Sequence, residues 1–125
     1  MQRAQNLLPA NEALRIGECL EQGQHKLVFQ DDGNLVLFSA DTIMWSSKTT
    51  TTQPGLVVVQ ECGKVVMLDS AGHEMWSVGT ADGHGSGPST CLLLNEIGNL
   101  VLIANDGSTI WSSVDKHGII VVVVL

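Results

Sequence analysis

Tyrosine is missing from the 125 residues of this chain, phenylalanine occurs twice, and lysine and arginine together number six. Each shortage removes a class of function. A phosphate-binding surface needs clustered basic residues, and six scattered ones against thirteen acids, a net charge of −7, cannot make one. So few aromatic residues also leave no platform for stacking bases. No nucleic-acid partner is expected, and the acidic balance reads as a solubility device. Long apolar stretches are lacking too. The C-terminal run Ile119 to Leu125 has seven apolar residues, far short of the roughly 20 that a membrane span requires, so no membrane insertion is expected. Met1 to Glu12 contain no apolar core of a secretory signal. As written this points to the cytoplasm, whereas a leader already removed would place the protein outside the cell.

Cysteine is scarce and oddly numbered. Cys19, Cys62 and Cys91 form no C-x-x-C pair and have no histidine at metal spacing. Three free thiols are the simplest reading, and a Cys62–Cys91 bridge stays open. The four histidines, His25, His73, His84 and His117, are dispersed, and no serine or cysteine sits in a nucleophile motif. Asp82 to Pro88, rich in glycine, lacks the lysine and helix of a phosphate cradle and reads as a linker. Neither His84 nor Asp106 has the company a metal ligand needs. No catalytic residue, metal ligand or cofactor is expected.

What the chain does contain is a threefold repeat. Leu27 to Phe38, Val57 to Leu68 and Leu92 to Ile103 each join two apolar runs through a short polar turn. In each, a glycine (Gly33, Gly63, Gly98) follows three residues after an amide (Gln30, Gln60, Asn95). A Trp-Ser pair comes fifteen or sixteen residues after the amide, at Trp45, Trp76 and Trp111. A period of 30 to 35 residues over three copies marks a repeat architecture. The apolar runs are rich in Val, Ile, Leu and Thr, which suit a pleated surface, and glycine-bearing turns separate them. We therefore expect one all-β domain spanning 1–125, with about twelve short strands and roughly four per repeat. The repeats occupy approximately 21–50, 51–83 and 84–116. Only Ala4 to Ile16 carries a weak helical hint.

The first turn has chemistry to spare. Residues two apart on a strand share a face, so Gln30, Asp32, Asn34, Val36 and Phe38 project to one side while Leu35 and Leu37 point to the core. An amide, a carboxylate and a second amide followed by apolar groups suit a polyol, because hydroxyls both donate and accept. Asp-Asp-Gly-Asn is also ordinary hairpin-turn chemistry, but that explains neither Gln30 nor the recurrence of the amide.

At these residues the chain resembles the bulb-type, or monocot, mannose-binding lectins of the β-prism II fold. Their signature is Gln-x-Asp-x-Asn-x-Val-x-Tyr, and Gln30 to Phe38 match it everywhere but the last position. Asn6 to Leu20 resemble the opening strands of the family, and the Trp-Ser elements resemble its Trp-Ala or Trp-Ser turns. The resemblance implies three four-stranded antiparallel sheets with pseudo-threefold symmetry, the tryptophans packed about the axis. It also implies recognition of terminal α-D-mannose or high-mannose glycans. Asp32 and Asn34 would read the mannose 2-hydroxyl, Gln30 would hold the 3-hydroxyl, and Val36 would touch the C3–C4 edge.

Departures from the signature carry equal weight. Phe38 in place of Tyr deprives the 4-hydroxyl of one partner, a loss of about 0.5–1.5 kcal/mol. Gln60 is followed by Cys62 and Lys64 in the second copy, which removes the 2-hydroxyl readers. Asn95, Ile97, Asn99 and Val101 make the third copy a weakened or lost site. Gly33 stands where one cysteine of the family's disulfide would fall, so that bridge is not expected. The C-terminal run, β-prone and uncharged, resembles the strand that family dimers exchange, implying a homodimer swapped through 118–125. The alternative is a degenerate prism that has lost its sugar sites and works as an interaction or structural module.

Overall fold

The computed structural model describes residues 5–79 and 86–113. The proposed exchange strand 118–125 and most of the glycine-rich linker therefore lie outside the described residues. Three antiparallel sheets of four strands each make up the molecule, as expected, and every repeat forms a three-stranded meander. The first repeat supplies β4 (His25–Phe29), β5 (Leu35–Ser39) and β6 (Thr42–Ser46). The second supplies β7 (Pro54–Gln60), β8 (Lys64–Asp69) and β9 (Glu74–Gly79), and the third β10 (Cys91–Leu94), β11 (Leu100–Ile103) and β12 (Thr109–Ser112).

The fourth strand of each sheet comes from elsewhere. Three short strands, β1 (Leu7–Pro9), β2 (Ala13–Arg15) and β3 (Cys19–Gln22), precede the repeats. β1 edges the third repeat's sheet, β2 the second's and β3 the first's. This corrects two expectations: the repeats contribute three strands each instead of four, and the helical hint over Ala4 to Ile16 is not realised. The lead is built on a six-residue period. Leu8, Leu14 and Leu20 are each fully buried and pair with Leu92, Val57 and Leu27. Three residues after each leucine the backbone turns through positive φ, at Asn11 (68°), Gly17 (83°) and Gly23 (60°). Asparagine and glycine tolerate that region better than other residues, so the chain can step from one sheet to the next.

The core is correspondingly symmetric. Each repeat contributes four buried residues: Leu27, Phe29, Leu35 and Leu37; Val57, Val59, Val65 and Met67; Leu92, Leu94, Leu100 and Leu102. The leucines of the lead complete it. Alternation on the pleat puts these side chains inside and the residues between them, which include the turn row, on the opposite face. Trp45, Trp76 and Trp111 lie opposite Leu37, Met67 and Leu102 across the third strand pair of each sheet. Trp45 packs with its ring centre 5.7 Å from both Trp76 and Trp111, at interplanar angles of 58° and 65°. Tilted and edge-on geometries of this kind are the favoured aromatic contacts. The indoles, partly buried, thus pack against the core and tie the three sheets together.

Candidate functional site

The three turns share one backbone. Gly33, Gly63 and Gly98 donate their N–H groups to the carbonyls of Gln30, Gln60 and Asn95 at 3.0–3.1 Å. The glycines sit at φ of 87°, 101° and 88°, which side-chain-bearing residues adopt at a cost of about 1–2 kcal/mol. The turn therefore draws on the main chain of the amide residue, which any residue could supply, and the side chain is left over for other uses. Those uses differ between the copies.

In the first copy the segment following Trp45-Ser46 folds back and clamps the turn. Ser47 Oγ accepts the N–H of Leu35 at 3.0 Å and donates to Asn34 Oδ1 at 3.2 Å. Thr49, 9 % exposed, donates its hydroxyl to the Gly33 carbonyl at 2.7 Å and lies 2.7 Å from Ser47 Oγ. The Thr51 N–H reaches the Asp32 carbonyl at 2.7 Å. Asp32 Oδ1 in turn accepts the N–H of Asn34 at 2.9 Å, an Asx turn. The carbonyl of the Asn34 amide is thus fixed by protein donors, while its NH2 group has no partner among the described residues. Asp32 keeps its second carboxylate oxygen, and no described residue bonds the Gln30 side chain. Two donors, a charged acceptor and a free amide stand in a row at the mouth of the β4–β5 hairpin.

The apolar end of the row differs from expectation in one respect. Val36 projects outward in register with Val28 and Ser46, but it is only 2 % exposed. Its neighbours on the face close over it, so it forms a floor and not an open patch. Phe38 is half-buried and lies in register between Lys26 and Ile43, the latter 48 % exposed. Lys26 is held by Glu21 at 3.5 Å.

The second row is obstructed by its own residues. Cys62 Sγ lies 3.5 Å from Gln60 Oε1, engaging the amide. Lys64 Nζ reaches Glu74, which pairs with Leu68, at 3.8 Å. Lys64, Val66 and Leu68 share one face, so the lysine stem runs along the sheet past Val66, whereas the first copy has the shorter Asn34 at the place of Lys64. In the third row, Asn95 Oδ1 is turned back onto its own loop and accepts the N–H groups of Ile97 and Asn99 at 3.2 and 2.9 Å. Ile97, in the place of Asp32, is 71 % exposed and Asn99 is buried. Val101 follows on the outer face, half-buried. The cysteines are all free thiols, so the Cys62–Cys91 bridge does not form. Burial pushes the Cys91 thiol above its ordinary value.

No protein-family model matches the chain, but individual proteins do. It is 33 % identical over 115 residues to the B-type lectin plumieribetin of Scorpaena plumieri, covering 90 % of this chain and 96 % of that protein. It is 29 % identical over 113 residues to a mannose-specific lectin of Aloe arborescens, covering 86 % and 95 % of the two. Among solved structures, a monomeric monocot mannose-binding lectin from Gastrodia elata superposes with a TM-score of 0.74 at 25 % identity, over 87 % of this chain and 96 % of that one. Similarity at this level spans the whole prism and all three turns.

Proposed function

The chain belongs to the bulb-type lectin family, whose members are carbohydrate-binding proteins and not enzymes, and from that premise we propose that it binds terminal α-D-mannose, as displayed on high-mannose glycans, through Gln30, Asp32, Asn34, Val36 and Phe38. The observation that carries the reading is the clamped first turn. Ser47 and Thr49 fix the Asn34 carbonyl, which leaves its NH2 group, the spare Asp32 oxygen and the Gln30 amide as an oriented set. Such a set can exchange hydrogen bonds with adjacent hydroxyls on one sugar ring. Val36 provides the floor beneath the ring and Phe38 an apolar wall without a hydroxyl. A shallow site of this kind binds one sugar near millimolar, about −4 kcal/mol.

Of the three rows the first alone is unobstructed by its own side chains, so one chain carries one site of this kind. Exchange of 118–125 between two chains would bring two such sites onto one particle, raising avidity for branched glycans with no new contact. Removing 119–125 should then lower the sedimentation coefficient.

A second reading, a prism acting through protein contacts, draws support from the lysine lying across the second row and the exposed Ile97 of the third. Calorimetric titration with methyl α-D-mannopyranoside separates the two, with the galactoside as control. Mannose-selective heat at about one site per chain, abolished by Asp32→Ala or Asn34→Ala in a folded protein, is the expected result. Absence of heat in the wild-type protein would favour the interaction module.

A further inference from the structure

Away from the three rows, a cleft of about 410 Å3 opens where the β3–β4 turn meets the β10–β11 turn, lined by Gln22, Gly23, Gln24, His25 and Glu96. The two turns belong to different sheets and are brought together by a close approach at Gly98. A Cβ on Gly98 would stand 2.7 Å from His25 Nδ1 and 2.8 Å from Cε1, so the imidazole lies against bare backbone. His25 Nδ1 is sealed there without a hydrogen-bond partner, which leaves Nε2 as the ring nitrogen able to serve the cleft. Gln22 lies in register with His25 across the hairpin. Gln24 spends one long contact, 3.4 Å, on Ser39 Oγ. Glu96 has no hydrogen bond or ion pair among the described residues.

We infer that this seam is a second polyol-binding site, taking a hexose-sized sugar through Gln22, Gln24, His25 and Glu96. Two amides, an imidazole nitrogen and a carboxylate form a mixed set of donors and acceptors, which is the complement of a hydroxyl-rich ring. The carboxylate adds a charge-assisted acceptor. Among the described residues, no lysine or arginine lines the cleft to hold an anion, and no apolar side chain lines it to hold an acyl group. Its volume lies within the range of small-molecule sites, about 300–1,000 Å3. The seam is separate from the first row. His25 opens β4 and Gln30 follows its last residue, about 16 Å away along the strand direction.

The test is a 15N-resolved titration of the full chain with methyl α-D-mannopyranoside and, separately, methyl α-D-glucopyranoside. Amides of 22–25 and 96–98 should shift and saturate at about tens of millimolar of either sugar. They should do so equally in Asp32→Ala, in which the first-row amides stop responding to mannoside. The double variant Gln24→Ala/Glu96→Ala, at two exposed positions, should abolish saturation at the seam while the first row responds as before. Linear shifts without saturation, or saturation that survives the double variant, would overturn the proposal. The first row and the seam report through different amides, so failure of one reading is not mistaken for failure of the other.

Discussion

Thr49→Val isolates what the clamp on the first turn is worth. The substitution keeps the shape of the side chain and removes one hydroxyl, which donates to the Gly33 carbonyl at 2.7 Å and lies 2.7 Å from Ser47 Oγ. Both Thr49 and Gly33 are buried, so water does not replace the missing donor. Stranding a buried carbonyl costs about 1–3 kcal/mol, and the added methyl returns about 0.8 kcal/mol of burial. The net loss should be about 0.2–2 kcal/mol, lowering Tm by about 1–10 °C for a chain of this size. Loss of the partner hydroxyl also loosens Ser47 and, through it, Asn34 Oδ1. Re-immobilising one side chain on binding costs about 0.5–1.5 kcal/mol, so mannoside affinity should fall about two- to tenfold. Thermal unfolding followed by tryptophan fluorescence and calorimetric titration read the two effects. Thr50→Val, at an exposed neighbour, should change neither. A lowered Tm with unchanged affinity would refute the claim that the clamp orients Asn34. An unchanged Tm would refute the assignment of the buried hydrogen bond itself.

Three further substitutions or measurements test other parts of the reasoning. Gly33→Ala should cost about 2–4 kcal/mol in urea denaturation, because left-handed strain adds to a clash with the Thr49 carbonyl 2.9 Å from the new Cβ. Gly72→Ala, at the same φ of 87° but with nothing within 4 Å, should cost only about 1–2 kcal/mol, and equal losses would remove the clash from the account. Cys62→Asp combined with Lys64→Asn should clear the second row and raise the calorimetric stoichiometry from about one mannoside per chain to about two; an unchanged value would mean that Lys64 is not what closes it. Native Cys91 should alkylate more slowly than the same residue in the urea-unfolded chain, since burial raises its pKa and so lowers its thiolate fraction at a given pH. The gap should narrow as pH rises toward the folded-state value, as followed by peptide mass spectrometry.

The repeats were legible because their punctuation is local. A turn that needs a positive-φ glycine leaves it in the sequence, and a tryptophan in register marks the third strand. The lead of the chain was not legible by the same means. Its strands β1 and β2 have three residues each, too few for alternation to show, and their apolar residues spaced over Ala4 to Ile16 imitate a helical period. The signal present was the six-residue spacing of Leu8, Leu14 and Leu20 with Asn11, Gly17 and Gly23, a period of strand plus turn. Parity assigned the outer face of β5 but could not reveal that Val36 is covered, since burial on that face depends on neighbours across the sheet. The Lys64–Glu74 contact and the His25–Gly98 seam are likewise meetings of distant segments, which spacing along the chain does not encode.

Separating what the turn needs from what a ligand needs explains how one row can stay open while the others close. The fold uses the main chain of Gln30, Gln60 and Asn95 in the same hydrogen bond, and it uses the glycine conformation and the indoles packed on the core. It makes no comparable use of the side chains on the outer row. Gln30 holds none of its side-chain atoms in a bond to a described residue, Gln60 engages a thiol, and Asn95 caps its own loop. A substitution at an outer position therefore changes recognition while the core residues of that sheet remain in place. Asp32, Asn34 and Asn95 are exceptions: Asp32 and Asn95 cap their own turns, and the Asn34 carbonyl is tied to Ser47 and Thr49, which couples the first row to the segment that clamps it. Binding and stability should accordingly vary independently at Gln30, and together at Asp32, Asn34, Ser47 and Thr49.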